Sequence, residues 1–268
     1  MEESEKFSSD KSLLADDNTS ATEALASMLF ELSSSKRLAL VFLLKDRILK
    51  LSQLSNLLEI SATETSRHLA RLEEEYLVEK GSLGQYNLTN LGRLVTQKLP
   101  TLELLSHHRR FFVLHDFTVL PDELLSHIDV LCKADLVQGV GMVMSTREEI
   151  LAGSEKSVTV LVDQQFPSLF PVFTEKLKSG IKFDVIVKLE VLKGQKGCNN
   201  PNVREHVIDE LPIALMMNET KACINFPDKT GKIDYSEGFC GDSIEFIDWC
   251  DDIFRYYWKV SKTLTLET

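Results

Sequence analysis

The chain has 268 residues, 43% of them apolar, with 30 Lys and Arg against 41 Asp and Glu for a net charge of -11. That length suits two modest domains with packed cores, and the lack of any run of about eighteen apolar residues, with an acidic and polar start MEESEKFSSD, excludes a membrane span and an ordinary secretory signal. The five cysteines (Cys132, Cys198, Cys223, Cys240, Cys250) form no C-x-x-C pair and read as mostly buried free thiols of a reducing cytoplasm, with neither a zinc site nor a cofactor expected.

Residues 1–19 are rich in Ser, Asp and Glu and are expected to be a disordered acidic tail. A first domain is expected over residues 20–99. Ser20 and Glu23 are spaced as a capping box, and Leu25, Met28, Leu29 and Leu32 then follow the i, i+3, i+4, i+7 rhythm of an amphipathic helix that covers the domain or crosses a dimer interface. After a break at Ser33 to Ser35, the segment LALVFLLK is apolar all round, as a helix buried in a small domain would be.

Ser52 to Leu88 carries the functional signal. A short helix striped with Leu54, Leu57 and Leu58 leads through Ile60 to Ala62 into a second helix, whose start at Ala62 is marked by the Ser61/Glu64 capping box. At 100° per residue, Thr65, Leu69, Leu72 and Tyr76 fall on one face and Thr63, Ser66, Arg67, Ala70 and Arg71 on the other. A helix presenting hydroxyls and two arginines suits the DNA major groove, because arginine donates bidentately to guanine and to phosphate. Leu77 to Lys80 and Gln85 to Leu88 then read as a hairpin around Gly81, Ser82, Leu83 and Gly84. The order helix, turn, helix, hairpin is that of a winged helix-turn-helix. The recognition helix is expected over 62–75 and the wing over 77–88, where Lys80, Ser82 and Gln85 would meet the backbone or minor groove.

Charge distribution agrees with that reading. Residues 1–34 hold 2 Lys against 8 acids and residues 100–268 hold 18 Lys and Arg against 26 acids, whereas residues 35–99 hold 10 against 7. The winged-helix segment alone is net basic, the footprint expected if only this part meets phosphate, as a dimer at chosen sites.

Thr89 is placed to cap a helix through Leu91, Leu94, Val95 and Leu99 that Pro100 interrupts, and a second piece from Leu102 to about Phe112 makes 100–115 a connecting helix. His107, His108 and His115 have no acidic or cysteine partner at ligand spacing. Residues 116–268 alternate helical stretches (Pro121 to Leu131, Thr146 to Leu151, Pro167 to Ser179, Val203 to Leu211, Ser243 to Lys262) with β-branched runs (Leu136 to Met144, Val158 to Val162, Ile181 to Leu189). A hairpin is added at Ile213 to Met217 and Ala222 to Phe226, and the alternation predicts an α/β domain. Phosphate-loop, hydrolase-elbow and zinc-protease motifs are absent, and QGVGMVM has two of the three glycines of a dinucleotide loop, so nothing points to an enzyme.

Several segments in this order resemble the archaeal methanogenesis regulatory protein family: SKRLALVFLL, ISATETSRHLARLEEEYLVEK, YNLTNLGRLV, HDFTVLPDELL, SVTVLVDQQFPSLFPVFTEKLKSGIKFDVIV, IALMMNETKACINF and FRYYWKVSK, spanning roughly 30–262. The resemblance implies a cytoplasmic, dimeric transcription regulator with an ArsR-like winged helix and a C-terminal sensor domain similar to a phospholipase-D-like fold without catalysis. None of the six histidines is followed two residues later by lysine, so the H-x-K-x-x-x-x-D motif of that catalysis is missing. Double-stranded DNA, a second copy of the chain and a small-molecule effector are the partners expected, and no membrane; the C-terminal domain is expected to sense a ligand, redox state or partner. The rival expectation is a protein-interaction scaffold that carries a winged helix without touching DNA.

Overall fold

The computed structural model describes residues 20–192, 198 and 200–263. The tail expected over 1–19 lies outside the described residues. Two compact units meet between Pro100 and Thr101.

The first unit begins with a helix seen over residues 20–32 (α1), so Ser20 is already helical rather than a residue ahead of the helix. It continues through α2 (Ser35–Leu44), β1 (Leu49–Lys50), α3 (Leu51–Leu58), α4 (Ala62–Glu74), β2 (Val78–Lys80) and β3 (Gln85–Leu88). Ser34 caps α2, and Leu40, Val41 and Leu44 enter the core while Phe42 stays exposed, so α2 is buried on one side rather than all round. Glu59 turns left-handed (φ 54°) to end α3, and Ser61 Oγ accepts from Glu64 N at 3.1 Å to start α4 at Ala62. Leu54, Leu69 and Leu72 are fully buried, each contributing about 1.5–3 kcal/mol of apolar burial.

The hairpin acquires a third strand that sequence did not announce. Leu49 and Lys50 pair with Tyr86 and Gln85, giving a sheet in the order β1-β3-β2. Tyr76, expected on the packing face of α4, lies past the helix end with φ 57° and is exposed. The chain thereby turns so that Leu77 and Val78 enter the core. α5 (Asn90–His107) starts under Thr89, whose Oγ1 accepts from Gly92 N at 2.9 Å. A Cβ on Gly92 would stand 2.0 Å from the Leu77 carbonyl oxygen, so only glycine fits this close approach.

Pro100 does not interrupt α5, contrary to the sequence expectation. Proline removes one backbone donor, an affordable loss where Leu99 and Leu104 on either side are buried.

The second unit holds α6 (Arg109–Leu114), α7 (Asp122–Leu125), a 3-10 turn Ile128–Lys133, β4 (Asp135–Gln138), α8 (Val140–Ala152), β5 (Ser157–Val162), α9 (Phe170–Lys178), β6 (Lys182–Lys188), β7 (Val203–Ile208), β8 (Ala214–Met217), β9 (Ala222–Asn225), β10 (Glu237–Gly241), α10 (Ile244–Val260) and β11 (Lys262–Thr263). The strands form one sheet in the order β11-β7-β6-β5-β8-β9-β10-β4. The pairs β5–β6 and β6–β7 are parallel and the remaining neighbours antiparallel.

Period-two alternation sorts the sheet's side chains onto two faces. Leu161, Ile186, Leu215, Met217, Ile224 and Phe239 join the core of α10, with Phe246, Trp249, Ile253 and Tyr257. Val158, Phe183, Met216, Cys223 and Cys240 join Val143, Ile150 and Leu151 of α8. Helices therefore cover both faces of a mixed sheet.

Three expectations are corrected here. Val203 to Leu211, read as a helix, supplies β7, because Val203 to Ile208 pair parallel with Phe183 to Lys188 of β6. Of the strand expected over Leu136 to Met144, only β4 up to Gln138 is extended; Gly139, at φ 99°, turns the chain and α8 begins at Val140. Cys223 and Cys240, read as free thiols, face each other in the β9–β10 register and are joined as a disulfide, while Cys132, Cys198 and Cys250 are free. β10 itself had no sequence signal.

Candidate nucleic-acid interface

α4 is fixed by what it buries. Thr65, His68, Leu69 and Leu72 face the core, with Thr65 Oγ1 donating to the Ser61 carbonyl at 3.0 Å and His68 Nε2 lying 3.6 Å from Glu64 Oε1. That leaves Thr63, Ser66, Arg67 and Ala70 exposed on the opposite face. Exposed hydroxyls and an exposed guanidinium retain their full hydrogen-bonding capacity for a partner.

Arg71 is different. Its Nη2 lies 2.5 Å from Glu31 Oε1, its side chain is 41% exposed, and its guanidinium stands 5.6 Å from the Phe30 ring centre. Glu31 also takes Arg37, with Nε 3.0 Å from Oε2 and donating to the Glu31 carbonyl at 2.5 Å. One carboxylate thus ties the end of α1 to α2 and α4 and shares Arg71 with the surface. Sequence reasoning missed Glu31; a residue 40 positions from Arg71 leaves no local pattern.

In the hairpin, Lys80 and Ser82 are exposed, and Lys80 Nζ stands 5.7 Å from the Tyr86 ring centre. Gln85 is half-buried: it pairs with Lys50 of β1, and its Oε1 is buried without a hydrogen-bond partner. The seven residues singled out in sequence therefore divide into five exposed ones (Thr63, Ser66, Arg67, Lys80, Ser82) and two held by the fold, Arg71 and Gln85. The exposed set lies on α4 and the β2–β3 hairpin of one compact unit.

The second unit contains a cavity of about 290 Å³ between the sheet and the α8/α9 layer. Val160, Phe173, Phe183, Val185 and Met216 supply apolar wall, Gln164 and Gln165 polar wall, and among the described residues Glu205 is its one acidic lining residue, accepting from Cys198 N at 3.0 Å. Trp249 is spent on structure, its Nε1 donating to the Leu124 carbonyl at 3.0 Å, and Trp258 stacks on His206 with ring centres 3.7 Å apart. Burial pushes the Cys250 thiol well up, which keeps it protonated and unreactive. Among the described residues no cluster of three His, Cys, Asp or Glu is placed to hold a metal ion, and no helix is long and apolar enough to cross a membrane.

Residues 26–105 match the N-terminal domain of Methanogenesis regulatory protein FilR1, and residues 143–260 match its middle domain. Methanogenesis regulatory protein FilR1 of Methanothrix harundinacea (strain 6Ac) is 24% identical over 255 residues, covering 87% of this chain and 56% of that protein, so the chain spans little more than half of the relative's length. Among solved structures, TrmBL2, described as an archaeal chromatin protein with a novel mode of DNA binding, aligns over 85% of this chain and 94% of its own at 12% identity and a TM-score of 0.42. NucT from Helicobacter pylori aligns over 49% of this chain and 99% of its own at 10% identity and a TM-score of 0.41. The matches to both FilR1 domains, taken in order along the chain, show that this protein belongs to the methanogenesis regulatory protein family.

Proposed function

We propose that the chain is a DNA-binding transcriptional regulator whose first unit is a winged helix-turn-helix. α4 is the recognition helix, and the β2–β3 hairpin is the wing. The observation that carries this reading is the exposed Thr63, Ser66 and Arg67 face of α4 beside exposed Lys80 and Ser82, in the one stretch of the chain with a basic balance. Arg67 is the leading base-reading residue, with Thr63 and Ser66 beside it. Arg71 contributes as far as its Glu31 contact allows, and Gln85 shapes the wing from beneath. A dimer fits the reading because two copies read two half-sites, and exposed Leu25, Leu29 and Phe30 on α1 with Leu91 and Leu94 on α5 offer apolar surface for the second copy.

The second unit serves as a non-catalytic sensor of phospholipase-D-like architecture, acting in the cytoplasm. Its cavity supports a small-molecule effector, and the family's regulatory name supports regulation rather than catalysis. DNA-binding measurements against genomic fragments, as a function of salt, test the proposal. The wild type should bind a subset of fragments selectively, and Lys80→Ala should weaken binding to all sequences alike and reduce the salt slope by about 0.9. Absent binding would leave the protein-interaction scaffold as the better reading, and fragment-independent binding would overturn site-selective regulation.

A further inference from the structure

Arg147 projects from the middle of α8 and is fully buried. Nη2 donates to Asn225 Oδ1 at 2.7 Å, whereas Nε and Nη1 have no hydrogen-bond partner. Asn225 is itself fixed: its Nδ2 donates to the carbonyls of Asp234 and Glu237 at 3.1 and 2.7 Å, so Oδ1 is the end left for the guanidinium. Tyr235 and Phe166 stand over the guanidinium with ring centres 5.3 and 6.0 Å away. The nearby Asp163 carboxylate accepts from the Tyr235 hydroxyl at 2.5 Å and makes no ion pair with Arg147 among the described residues. Burial lowers the Arg147 pKa, with the nearby Asp163 carboxylate opposing, yet a guanidinium stays protonated in proteins. The fold thus encloses a cation that, among the described residues, keeps two of its three nitrogens unpaired, and burying unpaired donors is costly.

Two neighbours connect this cation to the cavity. Leu151, one turn further along the same face of α8, lines the cavity wall, and so does Phe166, whose ring lies against Arg147. Phe166 is half-buried and follows the end of β5, immediately before the turn at Pro167. Phe166 is thus common to both surroundings, lining the apolar cavity and standing 6.0 Å from the guanidinium.

We propose that the second unit binds a small monocarboxylate with a compact apolar body: the body fills the cavity, the Phe166 ring moves aside, and the carboxylate accepts from one edge of the Arg147 guanidinium. This rests on the sensor reading and names the class of effector. With Asp163 near Arg147 and Glu205 on the cavity wall, a monoanion meets less repulsion than a dianion would. A carboxylate is suited to the planar fork of arginine, and walls of Val, Phe and Met reject a bare inorganic ion, which has nothing to offer them.

The experiment measures binding to the full-length protein by calorimetry and thermal shift, independently of DNA. The probes are phenylacetate, its neutral isostere phenylacetamide, phenyl phosphate and inorganic phosphate. Phenylacetate should bind and raise Tm, with phenylacetamide weaker by about tenfold or more, the usual consequence of losing a charge-assisted hydrogen bond in a buried site. Arg147→Met should fold with an unchanged or higher Tm, since an apolar chain of similar length relieves the buried charge, and should lose the preference for the carboxylate. If Arg147→Met fails to fold, Phe166→Trp decides: phenylacetate but not phenylacetamide should shift its emission. The proposal is overturned if neither organic probe binds, if carboxylate and amide bind alike, if the phosphates bind and phenylacetate does not, if folded Arg147→Met keeps the preference, or if the Phe166→Trp emission ignores the carboxylate.

Discussion

Two buried arginines, one in each unit, are treated in opposite ways. Arg37 sits beside the Glu31 carboxylate and donates to the Glu31 and Phe30 carbonyls, and the same carboxylate takes Arg71. Arg147, more deeply enclosed, receives one neutral acceptor from Asn225 and two aromatic faces. In the first unit the chain supplies its own counter-charge, so the guanidinium is a fastening. In the second, among the described residues, Asp163 lies near but makes no ion pair with the guanidinium, which leaves donors open to a charge that arrives from outside.

The comparison breaks most sharply at Glu31. Glu31→Ala leaves Arg37 enclosed without its carboxylate and should lower the stability of the first unit by about 3 kcal/mol or more, read from the urea midpoint. A loss well under about 1 kcal/mol would mean that the cluster fastens nothing.

The next effect separates Arg67 from Arg71. Arg67→Ala should weaken operator binding by about 1–3 kcal/mol with unfolding unchanged, because its side chain is exposed and spends nothing on the fold. Arg71→Ala should cost less affinity and some stability, since Glu31 loses a partner. Equal affinity losses in a shift assay would show that Arg71 leaves Glu31 when DNA arrives.

The smallest effect concerns a charge that the second unit does satisfy. Burial pushes the Asp234 carboxyl up, but hydrogen bonds from Ser236 Oγ and N, with His115 alongside, outweigh it and hold the group below the usual carboxylate range. A depressed carboxylate stabilises the fold above its unfolded pKa and loses that contribution as pH falls through the folded value. Ser236→Ala should therefore cost up to about 1 kcal/mol at neutral pH, and the deficit should fade in acid, as urea titrations at several pH values would reveal. A deficit that persisted unchanged in acid would assign Ser236 a role unrelated to the carboxylate.

What sequence disclosed was local. Ser61 announces the start of α4 because a cap and its amide are three residues apart, and the β8–β9 hairpin is legible because four residues separate its strands. β7 is not legible as a strand because Arg204, Glu205 and His206 break any apolar alternation, and its identity comes from β6 beside it. The exposed face of α4 was legible from periodicity, but which arginine on it is free was not: that depends on Glu31 of another helix. Arg147 gave no signal at all, its one hydrogen-bond partner being 78 residues away.

The position of β4 also bears on how the second unit assembles. Its partner is β10, with Gln138 and Glu237 joined across a separation of 99 residues, whereas β5, β6 and β7 follow one another and can pair as they emerge. Closing that long loop is entropically costly and gains nothing until both strands exist. In the sheet β4 has no strand partner other than β10, so until β10 has been made both of its edges lack a strand to pair with.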